Sequence, residues 1–433
     1  LSGDIKKAEN YEKNKMWEDA LKEYQLLYEE NHKNIHALDK IGWCQSRMGK
    51  YKESIKTFKE IIVLEPNKAK WYYTVGYQYY CLKNWNTAMF YFEEAIKRYP
   101  DYLIVYYRMG YATSQNLNIE YKEALSQLRK SLSYLNKYES IYIKLDEDGQ
   151  NRNKSHYVKV LFLKGKILIM FNEIQSAIKI LSKAHKLDKS NRDVVYNLSK
   201  AYYLSNELDK SSELFKILPN KYYSEELKAK VFIKQKRYSE ALSILSKVLN
   251  IRQRDYIYRD IAEIYLELDD LDNAYQNAKK AVNLDKGNHK NSFVLGFVYY
   301  RYGLLFLCKK MLLDSIEIKD KKYNSKYEEA QKLLIEIDRL IKERNYKEDP
   351  TEILNYLESL SRKTDKRYLE GKIAKWFEDK KYGFIRCDKE SYFFHISDID
   401  KKLVDFISLG KITTFYLTNS HKGMKAIIVN IKN

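Results

Sequence analysis

The sequence predicts a mostly α protein: a long helical solenoid followed, at the end of the chain, by a small all-β barrel. Three observations carry this. Only 4 prolines and 14 glycines occur in 433 residues, while 45% of residues are hydrophobic and 32% are charged. Few breakers with plentiful charge is the composition of long amphipathic helices. Gly42, Gly76 and Gly110 stand 34 residues apart with matching neighbours. From Gly371 onward, short alternating runs bounded by turn residues replace the helical pattern and read as strands.

The repeat is specific in its details. Ile41, Val75 and Met109 precede the three glycines. Ser54 and Ala88 follow the first two after twelve residues, then Phe58 and Phe92, Ile61 and Ala95, and Pro66 and Pro100. Small residues let two helices cross closely, an aromatic residue plugs the gap to the next unit, and proline stops the second helix. This pattern resembles the tetratricopeptide repeat, with small residues at positions 8, 20 and 27, an aromatic at 24 and a closing proline. Ala8, Tyr11, Ala20 and Tyr24 mark a first unit. Residues 103 to 136 fit a fourth, with about two extra residues before Ala124. Gly165, Ala177, Leu181 and Ala184 give a fifth, Arg192 to Lys221 a shorter sixth, and Ala241 with Leu245 a seventh. Ala262, Ala274 and Ala281 mark an eighth, and Gly296, Tyr299 and Cys308 a ninth. About nine repeats thus fill residues 1–322. The polar stretch near 136–154, ending in Asp146-Glu147-Asp148-Gly149-Gln150-Asn151, reads as a solvated loop. Residues 323–368 read as capping helices and a linker: an amphipathic helix from Tyr327 to Glu343, then a shorter one begun by Asp349-Pro350-Thr351.

A repeat array of this kind implies a concave groove lined by the first helix of each unit, at positions 2, 5, 9 and 12. Those positions collect Trp43, Tyr73, Tyr77, Tyr80, Tyr107 and Tyr111, an aromatic wall suited to a protein or peptide partner because rings bury much area at low entropy cost. With 41 tyrosines in the chain, some would line any surface. Positions 5 and 9 are expected to face the groove rather than the core between repeats. The carboxylate clamp of chaperone-binding repeats uses Lys at position 5 and Asn at 9. Here Ile5, Glu9, Asp39 and Trp43 stand there, so that activity is not carried over.

The final domain is expected at 369–433. Its strands begin with Gly371-Lys372-Ile373-Ala374-Lys375-Trp376-Phe377, followed by Tyr382-Gly383-Phe384-Ile385-Arg386-Cys387 and Ser391-Tyr392-Phe393-Phe394-His395-Ile396. Phe415 to Leu417 and Ala426 to Asn430 supply the rest. This resembles the bacterial cold-shock domain, an OB-fold barrel, through its G-K-x-x-W-F opening and two nucleic-acid motifs. Side chains alternate across a strand, so Tyr382 shares a face with Phe384, and Phe393 with His395. With Trp376 beside them these rings form an expected stacking platform for unpaired bases. Lys372, Lys375, Lys380, Lys381 and Lys422 are expected at the phosphates. Three departures bear on this: Lys381 stands where the family motif has glycine, Ile396 replaces its last aromatic, and the loop between Asp398 and Gly410 is unusual. A barrel that docks protein instead stays open at this stage.

Composition sets further bounds. A net charge of +19 draws a chain towards nucleic acid or an anionic surface, although an A+T-rich genome imposes the same excess of Lys, Asn, Ile and Tyr. Cys44, Cys81, Cys308 and Cys387 are scattered, which predicts neither metal site nor disulfide framework and suits a reducing, cytoplasmic setting. The most apolar stretch, Phe293 to Leu307, is interrupted by Arg301 and reads as buried repeat helix rather than a membrane span. No phosphate-cradling loop, nucleophile elbow or zinc-protease motif is present, so no catalytic residues and no cofactor are expected. The leading expectation is a non-enzymatic adaptor or sensor. Its groove takes a protein partner and its barrel takes single-stranded nucleic acid, RNA before DNA. Alternatives are the C-terminal sensing arm of a larger bacterial signalling or anti-phage defence effector with its catalytic part upstream of Leu1, or a scaffold whose barrel is a relic.

Overall fold

The computed structural model describes residues 3–116, 121–219, 221–343, 351–364, 368–387, 390–396, 399, 401–420 and 423–431. Two compact units are present, residues 1–236 and 237–433.

The first unit is a run of antiparallel helical hairpins. They are α1 (Ile5–Lys13) with α2 (Trp17–Glu30), α3 (Ile35–Arg47) with α4 (Tyr51–Leu64), and α5 (Ala69–Cys81) with α6 (Trp85–Arg98). Next come α7 (Leu103–Gln115) with α8 (Tyr121–Tyr142), α9 (Glu147–Met170) with α10 (Ile174–Leu187), and α11 (Arg192–Leu204) with the short α12 (Leu208–Glu213); α13 (Tyr222–Lys234) ends the unit. The turns inside several hairpins need one left-handed residue, as at Gly49 (φ 76°) and Lys83 (φ 57°), the usual way an α-helix is ended tightly. The glycines do what the repeat spacing predicted. A Cβ on Gly42 would fall 2.6 Å from the ring of Phe58, and one on Gly76 would fall 2.8 Å from Phe92. Phe58 and Phe92 are fully buried. Ser54 adds a hydrogen bond, its hydroxyl donating to the Gly42 carbonyl at 2.7 Å.

The fourth hairpin departs from the expected register. Ser131 Oγ donates to the Gly110 carbonyl at 2.6 Å, and a Cβ on Gly110 would meet Leu135 at 2.7 Å. Ser131 and Leu135 therefore take the places that Ser54 and Phe58 take against Gly42, nine residues later along the chain than regular spacing allows. Ala124 is not the contact residue, and the extra length lies ahead of Ser131. The expected solvated loop at 136–154 is likewise corrected, because α8 runs through to Tyr142 and α9 starts at Glu147. Tyr138, Ile141, Tyr142 and Tyr157 fill a core there, and Tyr142 stacks on Tyr157 at 4.0 Å. Asp146 is a helix cap, its carboxylate accepting from the Gly149 amide at 2.8 Å; side-chain capping of this kind suits Asp well.

The second unit holds α14 (Tyr238–Ile251), α15 (Asp255–Glu267), α16 (Leu271–Leu284), α17 (His289–Arg301), α18 (Leu305–Tyr323), α19 (Glu328–Glu343) and α20 (Thr351–Thr364). Tyr327, Ala330 and Ile337 at the start of and along α19 cover Leu305, Cys308 and Leu312 of α18. Leu357 and Leu360 of α20 pack on the core formed by α15, α16 and α17. Among the described residues no helix is long and apolar enough to cross a membrane.

The same unit ends in five strands, β1 (Tyr368–Phe377), β2 (Tyr382–Cys387), β3 (Glu390–His395), β4 (Ile412–Ser420) and β5 (Gly423–Ile431). They close in the order β1-β2-β3-β5-β4, so every strand has two neighbours and no edge is left open. The β3–β5 contact is parallel and the others are antiparallel. Ile373, Ile385, Phe394, Phe415, Ala426 and Ile428 fill the interior. The unusual loop contains a helical turn over Lys401–Phe406, flanked by Ile399 and Ile407, which enter the core.

Candidate nucleic-acid interface

In an antiparallel ladder, side chains directly opposite each other lie on the same face. Phe384 pairs with Phe393, Tyr382 with His395, and Gly383 with the buried Phe394. The two sets thus lie on opposite faces, with Ile385 and Phe394 inside and the four rings outside. Tyr382 lies 5.5 Å from Phe393, Phe384 lies 5.8 Å from Phe393, and Tyr382 lies 6.1 Å from Phe384. Tyr382, Phe384, Phe393 and His395 are all partly exposed. Two glycines permit this packing. A Cβ on Gly383 would fall 2.5 Å from the Lys375 carbonyl and 2.6 Å from the Phe394 ring, and one on Gly371 would fall 2.6 Å from Ile385.

Strand β1 adds a bulge between Ile373 and Lys375, which shifts the alternation by one residue. Lys375 is placed opposite Phe384 and Phe377 opposite Tyr382, so both belong to the outer face. Trp376 is opposite Gly383 and stacks on the buried Phe394, 5.7 Å away with the rings 4° from parallel. Its indole is half-buried on the core side rather than on the platform. Phe377, which the sequence reading passed over, is 40% exposed and lies 5.0 Å from Tyr382, in the place expected for Trp376.

Four of the expected lysines border this face. Lys372, Lys375, Lys380 and Lys381 are all exposed, and none forms an ion pair among the described residues. Lys381 closes the β1–β2 turn at φ 58°, the left-handed conformation that a glycine adopts at no steric cost. Lys422 lies outside the described residues.

The first-helix wall of the second to fourth repeats is also aromatic, but its rings are shared with the core. Tyr77 lies 6.1 Å from Trp43 and from Tyr80, and Tyr80 lies 5.5 Å from Tyr111. Tyr73 stacks on the core residue Phe92 at 6.0 Å and touches Tyr102 at 5.3 Å. Tyr107 is only 9% exposed. The expectation that positions 5 and 9 all face the groove is corrected at one residue: Tyr107 is core, while Trp43, Tyr73, Tyr77, Tyr80 and Tyr111 remain partly exposed. Sequence reasoning also missed Arg108, at position 6. Its guanidinium carbon sits over Tyr77 at 4.8 Å and Tyr80 at 4.9 Å, and its Nε is buried without a hydrogen-bond partner. Burial raises the phenol pKa of Tyr73 and Tyr80, and the Arg108 charge works against that rise.

Among the described residues no cluster of His, Cys, Asp and Glu could hold a metal ion.

Comparisons with known proteins follow the same division. The model of the 'cold-shock' DNA-binding domain matches residues 370–431. Tetratricopeptide-repeat models match residues 36–68, 72–102, 168–231 and 257–288. The chain thus carries tetratricopeptide repeats and a C-terminal cold-shock domain. A curated relative, TPR repeat-containing protein MJ1428 of Methanocaldococcus jannaschii, is 26% identical over 299 residues, covering 62% of this chain and 49% of its own. This chain spans about half the length of that relative. Solved structures with a similar course include yeast Tom70 (12% identity, TM-score 0.38, covering 84% of this chain and 98% of that one). MamA of Desulfovibrio magneticus RS-1 is another (19% identity, TM-score 0.35, covering 38% and 97%).

Proposed function

We propose that this protein is a non-enzymatic adaptor that holds single-stranded nucleic acid, RNA in preference to DNA, on the outer face of its barrel, and a protein partner on its repeats. One observation carries the reading. Tyr382, Phe384, Phe393 and His395 form one partly exposed face of a barrel whose core is already filled by Ile373, Ile385, Phe394 and Phe415. A domain this small does not display a second apolar face without a use for it. Unpaired bases present flat surfaces that stack on such rings at about 1–3 kcal/mol each with little sequence preference, and the exposed Lys372, Lys375, Lys380 and Lys381 suit phosphates. Bases in a duplex stay in their own stack and cannot lie on the platform, so single strands are favoured.

The deciding experiment titrates the full-length chain with fluorescent single-stranded RNA, single-stranded DNA and duplex of one sequence. Tighter binding of single strands, lost with Phe384→Ala, supports the platform. Equal affinity for duplex, or wild-type affinity in the Phe384→Ala chain, sinks it and leaves the barrel as a protein-docking module.

A further inference from the structure

The wall of first helices changes character after the fourth repeat. Where the second to fourth repeats present Trp43, Tyr77 and Tyr111, the fifth and sixth present Lys166 and Lys200 at the same position of α9 and α11. Between α9, α11 and α13 lies a cavity of about 340 Å³, lined among others by Phe162, Lys166, Tyr196, Asn197, Lys200 and Tyr223. Tyr196 and Tyr223 meet edge to face at 4.8 Å.

The two cations differ from several lysines close by in the chain. Lys164, Lys183, Lys210 and Lys228, in the same helices or the adjoining ones, are each tied to a glutamate. Lys166 and Lys200 form no ion pair among the described residues. Glu226 of α13 approaches Tyr196 closely enough to raise its pKa together with burial, but it does not line the cavity. From Asn151 to Leu204 the sequence holds eleven Lys and Arg against three Asp and Glu, so the local field favours an anion.

We propose that this cavity is a second binding site for single-stranded nucleic acid, on the repeats and independent of the barrel. Phe162, Tyr196 and Tyr223 supply ring surfaces for one base, while Lys166 and Lys200 meet the flanking phosphates. Groups of these two kinds in alternation are what a non-specific single-strand site needs. An acidic peptide is the competing occupant, and the rings weigh against it: carboxylates call only for the cations, whereas stacked bases joined by phosphates use both the rings and the cations. Asn197 donates one side-chain N–H to the Asp193 carbonyl at 2.9 Å, and its Oδ1 can accept from a base N–H.

The test uses the full-length chain in two backgrounds, wild type and the barrel-disabled Phe384→Ala/Phe393→Ala variant, with a fluorescent single-stranded RNA 20-mer as probe. The barrel-disabled chain should retain measurable, salt-dependent binding. Lys166→Gln/Lys200→Gln, both substitutions in the repeats and checked for folding by circular dichroism, should weaken that residual binding about ten-fold or more. The slope of log affinity against log salt should become shallower by about 1.4, two contacts at ~0.7 each. In the wild-type background the slope should become shallower to the extent that the repeats carry the binding, and fully so without a barrel platform. The outcome therefore does not depend on whether that platform exists. Absence of residual binding, or an unchanged slope in both backgrounds, overturns the proposal. So does displacement of the RNA by poly-glutamate at charge concentrations where poly-uridylate fails, which would mark the cavity as a site for acidic protein.

Discussion

Aromatic residues crowd two places in this chain, the first-helix wall of the second to fourth repeats and the outer face of β2 and β3. What differs is what lies behind the rings. On the barrel, Phe393 and Phe384 stand in front of a core made by other residues, with Phe394 and Ile385 fully buried behind them. On the solenoid, Tyr73 leans on Phe92 and Tyr107 is itself core. A ring in front of a filled core can be deleted with little structural consequence, so its presence asks for a ligand. A ring that completes the core explains itself by packing. Charge divides the same way: Glu139 of the solenoid takes hydrogen bonds from Tyr157, Lys164 and Lys183, while Lys372, Lys375, Lys380 and Lys381 of the barrel point into solvent.

The largest effect expected from this contrast is on stability. Tyr107→Ala should cost about 3–5 kcal/mol, the range for removing a large buried ring, whereas Tyr77→Ala should cost about 1 kcal/mol, typical of a partly exposed site. Urea titration followed by circular dichroism measures both. Equal costs would erase the distinction between core and groove within the wall. If Tyr77→Ala alone reduces capture of a partner by the full-length chain, the groove consists of Trp43, Tyr77, Tyr80 and Tyr111.

Acid should then separate the two kinds of charge. Burial alone would raise the Glu139 carboxyl, but hydrogen bonds from Lys164, Tyr157 and Lys183 outweigh it and hold the group down at about 2. A carboxylate with a lowered folded-state pKa stabilises the fold above its unfolded value, near 4.3, and this contribution is lost as pH falls towards 2. Roughly 2–3 kcal/mol should disappear across that window. Glu139→Gln should lack this part of the acid dependence and be less stable at pH 7, since Lys164 is left buried with a neutral partner. An unchanged pH profile in Glu139→Gln would show that the network contributes nothing.

On the barrel the sign reverses: binding suffers and folding does not. Phe393→Ala should weaken single-stranded RNA by about 1–3 kcal/mol, five- to a hundred-fold, without altering the salt dependence. Phe394→Ala should instead unfold the barrel at much lower denaturant. The neighbouring pair is the sharpest form of the comparison, since the two residues differ only in which face of β3 they occupy.

Most of this architecture was legible because it rests on local and periodic requirements. A glycine that must pass a phenylalanine ring recurs every 34 residues, and Gly42, Gly76, Phe58 and Phe92 declare the hairpins. The barrel declares itself through Gly371, Gly383 and the two aromatic strands. What escaped depended on tertiary packing and on local register. Ala124 offered a small residue at nearly the right distance, and only tertiary packing shows that Ser131 is the one against Gly110. The bulge after Ile373 turned Trp376 inward and Phe377 outward, because one extra residue reverses a strand's alternation. Arg108 was missed because it occupies a position between those read as groove-lining. The stretch at 136–154 looked like a loop from its polar end, while Tyr138, Ile141, Tyr142 and Tyr157 carried a helical spacing that outweighed it.

Lys381 yields the smallest effect and the finest division between fold and function. It stands at φ 58°, where a residue with a Cβ loses about 1–2 kcal/mol. Glycine would relieve that strain but adds about 0.5–1 kcal/mol of unfolded-state entropy. Lys381→Gly should therefore stabilise the barrel by roughly 0.5–1 kcal/mol, as the difference between those two effects. If the lysine side chain also meets a phosphate, the same substitution should make the salt slope of RNA binding shallower by about 0.7. Lys381→Ala separates the two consequences, since it keeps the strain and removes the charge. It should show the shallower slope with no gain in stability. Should both variants keep the wild-type slope while only the glycine stabilises, Lys381 is a strained turn residue with no part in binding, and the phosphate path runs past Lys375 instead. Should the glycine variant lose both stability and affinity, the left-handed turn itself positions Tyr382, and the separation between a structural core and a free outer face does not hold at this corner of the barrel.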